Sequence, residues 1–214
     1  MKYQSVIEAR GFVQFPEFMA ERVYMREFYK DKGLPEDLCR WQDTVDVMLD
    51  GVDTDGPIYI MIDEGTVAPG TTHRRKGLHI DGYWNPGLRA HGTGHLPSPG
   101  GHRPVGGHIY DGRHDSVRRH FSGPKSWDQA TFEEPEAIIL ASSLSAARGY
   151  AGEFEGPIGE GGDCDLVDLS GLAIVPMYAD RVYACNVTGL HRSMPVSVEC
   201  KRQLVRLNVP GWTV

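Results

Sequence analysis

The chain has 214 residues, room for one domain with its own core, and its formal net charge of −7 argues against general nucleic-acid binding. Its longest apolar runs, "PEAIILASS" and "PIYIMI", fall far short of the roughly 20 residues that span a bilayer. The opening "MKYQSVIEARGF" lacks the apolar block of a signal peptide, so a cytoplasmic protein with no membrane partner is expected.

Glycine (26) and proline (14) make up nearly a fifth of the chain, and helical periodicity fades after about residue 50, which favours a β-rich, loop-rich fold. Cys39, Cys164, Cys185 and Cys200 lie far apart with no CxxC pair, so reduced thiols are expected rather than a zinc knuckle.

In chain order, "SVIEARGFVQF" mixes apolar and polar residues and predicts one or two opening strands broken at Gly11. Apolar residues near helical spacing, closed by Gly33 and Gly51, predict helices over 17–31 and 35–49. After the turn "VDTDG", "PIYIMIDEG" reads as a buried strand and "GLHIDGYW" as a second, bounded by glycines. Apolar runs resume at "EAIILASSLSAARGY". Beyond a glycine-rich link, "LAIVPM", "DRVYACNV", "GLHRSMPVS" and "KRQLVRLNV" form a meander of strand-length pieces.

The organisation expected is one domain over 1–214: a strand and helical layer (1–54), a β core (55–84 and 131–210) and an insertion rich in His, Gly and Arg (85–126). The fold class is mainly β with N-terminal helices, an antiparallel sandwich or barrel. Charge is uneven, since the stretch from His73 to Ser126 is basic and the remainder strongly acidic. In the insertion, His91, His95, His102, His108, His114 and His120 sit among glycines and prolines, and beyond His91 and His95 none has His-x3-His spacing, so a basic substrate loop is preferred to a zinc site. Arg118 and Arg119 there suit phosphate or carboxylate groups and predict an anionic substrate, a small molecule or nucleotide-like. Nucleic acid lacks an aromatic-interleaved basic platform to support it.

Alternate strand residues share a face, so His79 and Asp81 of "HID" project together while Leu78 and Ile80 oppose them. An imidazole and a carboxylate suit divalent iron, and a 2-His-1-carboxylate set needs one more histidine, for which His191 in "LHRS" is the candidate. On the last strand Arg202, Leu204, Arg206 and Asn208 share one face. Two arginines on one face of a Val/Leu-rich strand are costly unless they meet an anion in a polar cavity. Tyr83 and Trp84 follow the His-x-Asp pair and are candidate pocket walls, whereas Tyr183 and Asn186 read as structural.

His-x-Asp, a distal His and an Arg eleven residues further resembles the 2-oxoglutarate/Fe(II)-dependent dioxygenase family. The resemblance implies a double-stranded β-helix (jelly-roll, cupin-like) core, with His79, Asp81 and His191 as iron ligands. Arg202 would grip the distal carboxylate of 2-oxoglutarate, and Arg206 would hold either that cosubstrate or an anionic substrate, as in the taurine dioxygenase type of site. The reaction implied consumes molecular oxygen and releases succinate and CO2. Because Asp81 stands where related halogenases carry a small residue, hydroxylation, or demethylation through it, is the expected outcome. The alternative is a cupin-like ligand-binding protein without enzymatic activity, which has no need of two inward arginines beyond the distal histidine.

Overall fold

A computed structural model of the chain describes residues 1–84 and 132–214. Among these residues ten strands run in order: β1 (Lys2–Ser5), β2 (Ile7–Phe12), β3 (Arg22–Tyr29), β4 (Pro57–Val67), β5 (Glu136–Ser142), β6 (Ala147–Glu155), β7 (Ala173–Met177), β8 (Arg181–Asn186), β9 (Leu190–Ser193) and β10 (Cys200–Pro210). A 3-10 turn at Glu36–Trp41 leads directly into helix α1 (Gln42–Met48). The fold is mainly β, with a six-stranded antiparallel sheet in the order β2-β8-β5-β10-β4-β3 and a four-stranded one in which β6 pairs with β1, β7 and β9. This arrangement is compatible with a β-sandwich. The expected insertion at 85–126, with Arg118 and Arg119, lies outside the described residues.

Two-residue periodicity explains both central strands. In β4, Ile58, Ile60 and Ile62 point to one face, and in β10 Val205, Leu207 and Val209 point the same way. They pack against Leu38, Trp41, Val45 and Met48 of the helical layer, making a fully apolar outer core. The opposite faces carry Tyr59 and Met61 on β4 and Arg202, Leu204 and Arg206 on β10, which look toward the second sheet. Burial on the outer face is strong enough to hold the sheet together while its inner face carries charge.

The expected helix at 17–31 is not formed, since Arg22–Tyr29 is edge strand β3, paired with β4. Val23 pairs with Ile62 but Arg26 with Ile60, so one extra residue bulges out, and Met25 takes φ +47°. Val23 and Phe28 thus pack on the outer core while Met25 joins the inner cluster. The bulge stretches a strand's spacing until it imitates a helix. The second expected helix exists, shortened to the 3-10 turn plus α1. At the start of the chain the break between strands falls at Val6, and Gly11 lies inside β2 at a register shift.

"GLHIDGYW" is not a regular strand. His79 makes isolated bridges to His191 and Asp163, and the segment from Lys76 to Trp84 is otherwise an irregular arm, with Gly77 and Gly82 in the left-handed region. Even so, the pairing has a nested order. β4 pairs with β10, the arm with β9, β5 with β8 and β6 with β7, while successive partners alternate between the two sheets. Among the described residues between Pro57 and Pro210, these nested pairs form an antiparallel ribbon. No helix among the described residues is long and apolar enough to cross a membrane.

Candidate metal centre

The ribbon brings together two copies of one tripeptide, Gly77-Leu78-His79 and Gly189-Leu190-His191. His79 N–H donates to the His191 carbonyl and His191 N–H to the His79 carbonyl, both at 3.0 Å, so the histidines are direct cross-strand partners on one face. Leu78 and Leu190 take the other face and are buried together in the core behind it. Each imidazole donates from Nδ1 to the glycine carbonyl two residues earlier, 3.0 Å for His79 and 2.9 Å for His191. This contact fixes ring and tautomer and leaves both Nε2 lone pairs for a ligand. The repeated Gly-Leu-His was the sequence signal for this pairing.

Gly77 is required where it stands: its φ is +71°, and a Cβ there would lie 2.8 Å from Asp165 Oδ2. Asp165 Oδ1 in turn accepts from Leu78 N at 2.6 Å and so fixes the start of the arm. Asp81 follows on the histidine face. Its Oδ2 is 3.6 Å from His191 Nε2, and its Oδ1 is held by Arg206 Nη1 at 2.9 Å. Donor atoms of His79, Asp81 and His191 all lie within 4.8 Å of one another, as a group able to share one metal ion.

Burial, then the neighbouring His191 and Arg75, hold His79 well below its ordinary pKa, which keeps the imidazole neutral. Burial opposes ionisation of Asp81, but Arg206 and then the two histidines outweigh it and hold the carboxyl well below the usual carboxylate range. Two imidazoles and one carboxylate therefore face the same point, and the donor set fits a divalent first-row metal.

The group lines a cavity of about 70 Å³ reached by both sheets. Arg202, Leu204 and Arg206 of β10, Met61 of β4 and Leu140 of β5 form one wall, and Ala147, Met177, His191 and Ser193 the facing one. Arg202 Nε donates to Ser142 Oγ at 2.8 Å while its Nη1 is buried without a hydrogen-bond partner. Burial, and next Arg74, push its pKa down to about 10, which leaves the guanidinium charged at neutral pH. Arg206 gives Nη1 to Asp81 and Nη2 to the Met25 sulfur at 3.7 Å.

The two candidate aromatic residues stand apart from the cavity wall. Trp84 is buried behind it with Tyr59, Met61 and Leu204, and Tyr83 stacks on Phe132 and donates to the Glu134 carbonyl. Tyr183 and Asn186 are structural, bonded to Pro176 and to the Gln4 carbonyl respectively. Sequence reasoning missed Arg74 and Arg75 as cavity groups and Ser142 as the partner of Arg202. For the first two, a run of three basic residues just before the arm was the signal, and for Ser142 there was none.

Glu136, buried on β5, accepts at Oε1 from Asn208 Nδ2 (2.7 Å) and from Trp84 N (2.8 Å), tying the end of the arm to the six-stranded sheet. Burial pushes its pKa from 4.5 up to about 7, against the hydrogen bonds and Arg206. The folded chain thus keeps a proton that the unfolded chain releases, so stability contributed at low pH declines between 4.5 and about 7. The loss amounts to about 3 kcal/mol. Glu136→Gln keeps the acceptor and cannot ionise, so urea denaturation across this range should show the variant gaining on the native protein as pH rises. Parallel pH profiles would refute the assignment.

The chain matches no family model, no curated protein and no solved structure.

Proposed function

We propose that this protein is an Fe(II)- and 2-oxoglutarate-dependent oxygenase that hydroxylates an anionic substrate, or demethylates it through hydroxylation, in the cytoplasm. The observation that carries the reading is a His-Asp-His donor set sharing one cavity with a buried guanidinium, Arg202, that forms no ion pair among the described residues. The nested ribbon pairing supports a double-stranded β-helix as the finer description of the sandwich.

His79 Nε2, His191 Nε2 and an oxygen of Asp81 would hold the iron, leaving positions on it for ligands from the cavity. Bound there, iron supplies the redox chemistry that couples oxidative decarboxylation of 2-oxoglutarate by molecular oxygen to attack on a C–H bond, releasing succinate and CO2. The chain's own residues bind and orient. The glycine carbonyls keep both imidazoles in one tautomer, and Arg206 occupies the outer oxygen of Asp81. Arg202, braced by Ser142, would present its fork to the far carboxylate of a dicarboxylate. Met61, Leu140, Met177 and Leu204 make the intervening wall apolar, which limits water around the reacting groups.

The test is spectroscopic and chemical. Under anaerobic conditions, Fe(II) with 2-oxoglutarate should give the weak visible charge-transfer band of the chelate, and air should then yield succinate. Iron-loaded protein showing neither the band nor 2-oxoglutarate-dependent succinate would overturn the oxygenase reading and favour a cupin-like binding protein.

A further inference from the structure

The cavity wall carries four guanidinium groups, and their partners differ. Arg74 Nη1 is ion-paired with Asp63 Oδ2 at 3.1 Å, and Arg206 Nη1 with Asp81 Oδ1 at 2.9 Å. Arg202 bonds only the neutral Ser142 hydroxyl and has no carboxylate within ion-pair distance among the described residues. Arg75 is in the same condition. Its Nη1 donates to the Gly161 carbonyl at 2.6 Å, which pins the group, and its Nη2 is buried without a hydrogen-bond partner.

A charged donor withdrawn from water and left unpaired is unfavourable unless a ligand completes it. Two such cations on one cavity exceed what the far carboxylate of 2-oxoglutarate satisfies, because Arg202 and Arg75 sit on different walls. Arg202 is on β10, with Ser142 beside it. Arg75 precedes the arm, held against the 3-10 turn at Glu160–Gly162, and its charge acts on His79 and Asp81. Asp163 and Asp165 act on Arg75 only from beyond ion-pair distance, and Asp165 is already bonded to Leu78 N. With Arg206 occupied by Asp81, Arg75 is, among the described residues, the cation beside the donor set that remains open to a second anion.

We propose that Arg75 is the seat of the primary substrate's anionic group, so that the substrate is a small molecule bearing a carboxylate, sulfonate or phosphate. This rests on the oxygenase reading, in which Arg202 receives the cosubstrate. Anchoring the substrate by its charge next to the donor set places its neighbouring C–H bonds where oxidation occurs. It also predicts that uncharged analogues are not oxidised.

The experiment is calorimetric. Protein loaded anaerobically with Fe(II) and saturating 2-oxoglutarate is titrated with acetate, methanesulfonate and inorganic phosphate. At least one should bind saturably with 2-oxoglutarate in place. Arg75→Met should weaken it roughly ten- to hundredfold, and Arg75→Lys less, while 2-oxoglutarate affinity changes by less than about twofold. Thermal unfolding of both variants checks that the fold survives, and Arg75→Lys keeps the charge if the methionine variant does not fold. Anion binding that disappears once 2-oxoglutarate saturates, or that is unchanged in a folded Arg75→Met variant, overturns the proposal. So does a variant that loses 2-oxoglutarate, which would put Arg75 in the cosubstrate's seat. Wild-type protein that binds neither iron nor 2-oxoglutarate would end the oxygenase reading instead. The same titration on that protein would still decide whether Arg75 binds an anion.

Discussion

Asp81→Ala is expected to abolish tight Fe(II) binding and, in the metal-free protein, to lower stability by about 3–5 kcal/mol. Two causes act through the two oxygens of one carboxylate. Oδ2 faces His191 and belongs to the donor set, so its removal leaves two imidazoles, too few for a stable site. Oδ1 is the counter-ion of Arg206, whose side chain is only 10% exposed, and without it a guanidinium is stranded in the interior. The two effects separate in a double variant. Asp81→Ala with Arg206→Leu removes both charges, so most of the stability should return while iron binding stays lost. Urea denaturation and competition with a chromophoric chelator measure them independently. A single variant as stable as the native protein would show that Arg206 is not held by Asp81.

That carboxylate also marks how far the sequence could be read. Its spacing from His79 needed only the alternation of an extended chain, and alternation persists in the arm although no regular strand forms there. β10 was legible for the same reason: Arg202, Leu204 and Arg206 turn to one side and Val205, Leu207 and Val209 to the other, as period two dictates. Where the period was broken, reading failed. The bulge at Met25 gave β3 a helical look. Partners set by pairing across the ribbon were out of reach, which is why Ser142, sixty positions from Arg202 in sequence, went unremarked. The contact of Asp81 with Arg206 was equally hidden, and it separates two arginines that look equivalent on the strand.

Arg202→Leu should show that separation most directly, with 2-oxoglutarate affinity falling roughly a hundredfold, about 3 kcal/mol, while Fe(II) affinity stays near that of the native protein. The reasoning starts from the unliganded state. Arg202 is only 2% exposed and has no carboxylate partner among the described residues. Burial alone is the main cause of its lowered pKa. Keeping such a charge inside is unfavourable until an anion arrives, so the shorter, uncharged leucine should leave the empty protein about as stable as before or more so. In the proposed reading, binding would then lose the fork that meets the far carboxylate. The combination of a stable fold, intact metal binding and lost cosubstrate is what a binding residue produces and a structural one does not. If Arg202→Leu instead unfolds the domain, or if 2-oxoglutarate binds it unchanged, the clamp lies elsewhere. Titrating 2-oxoglutarate against the visible band, alongside thermal unfolding without ligand, distinguishes these results.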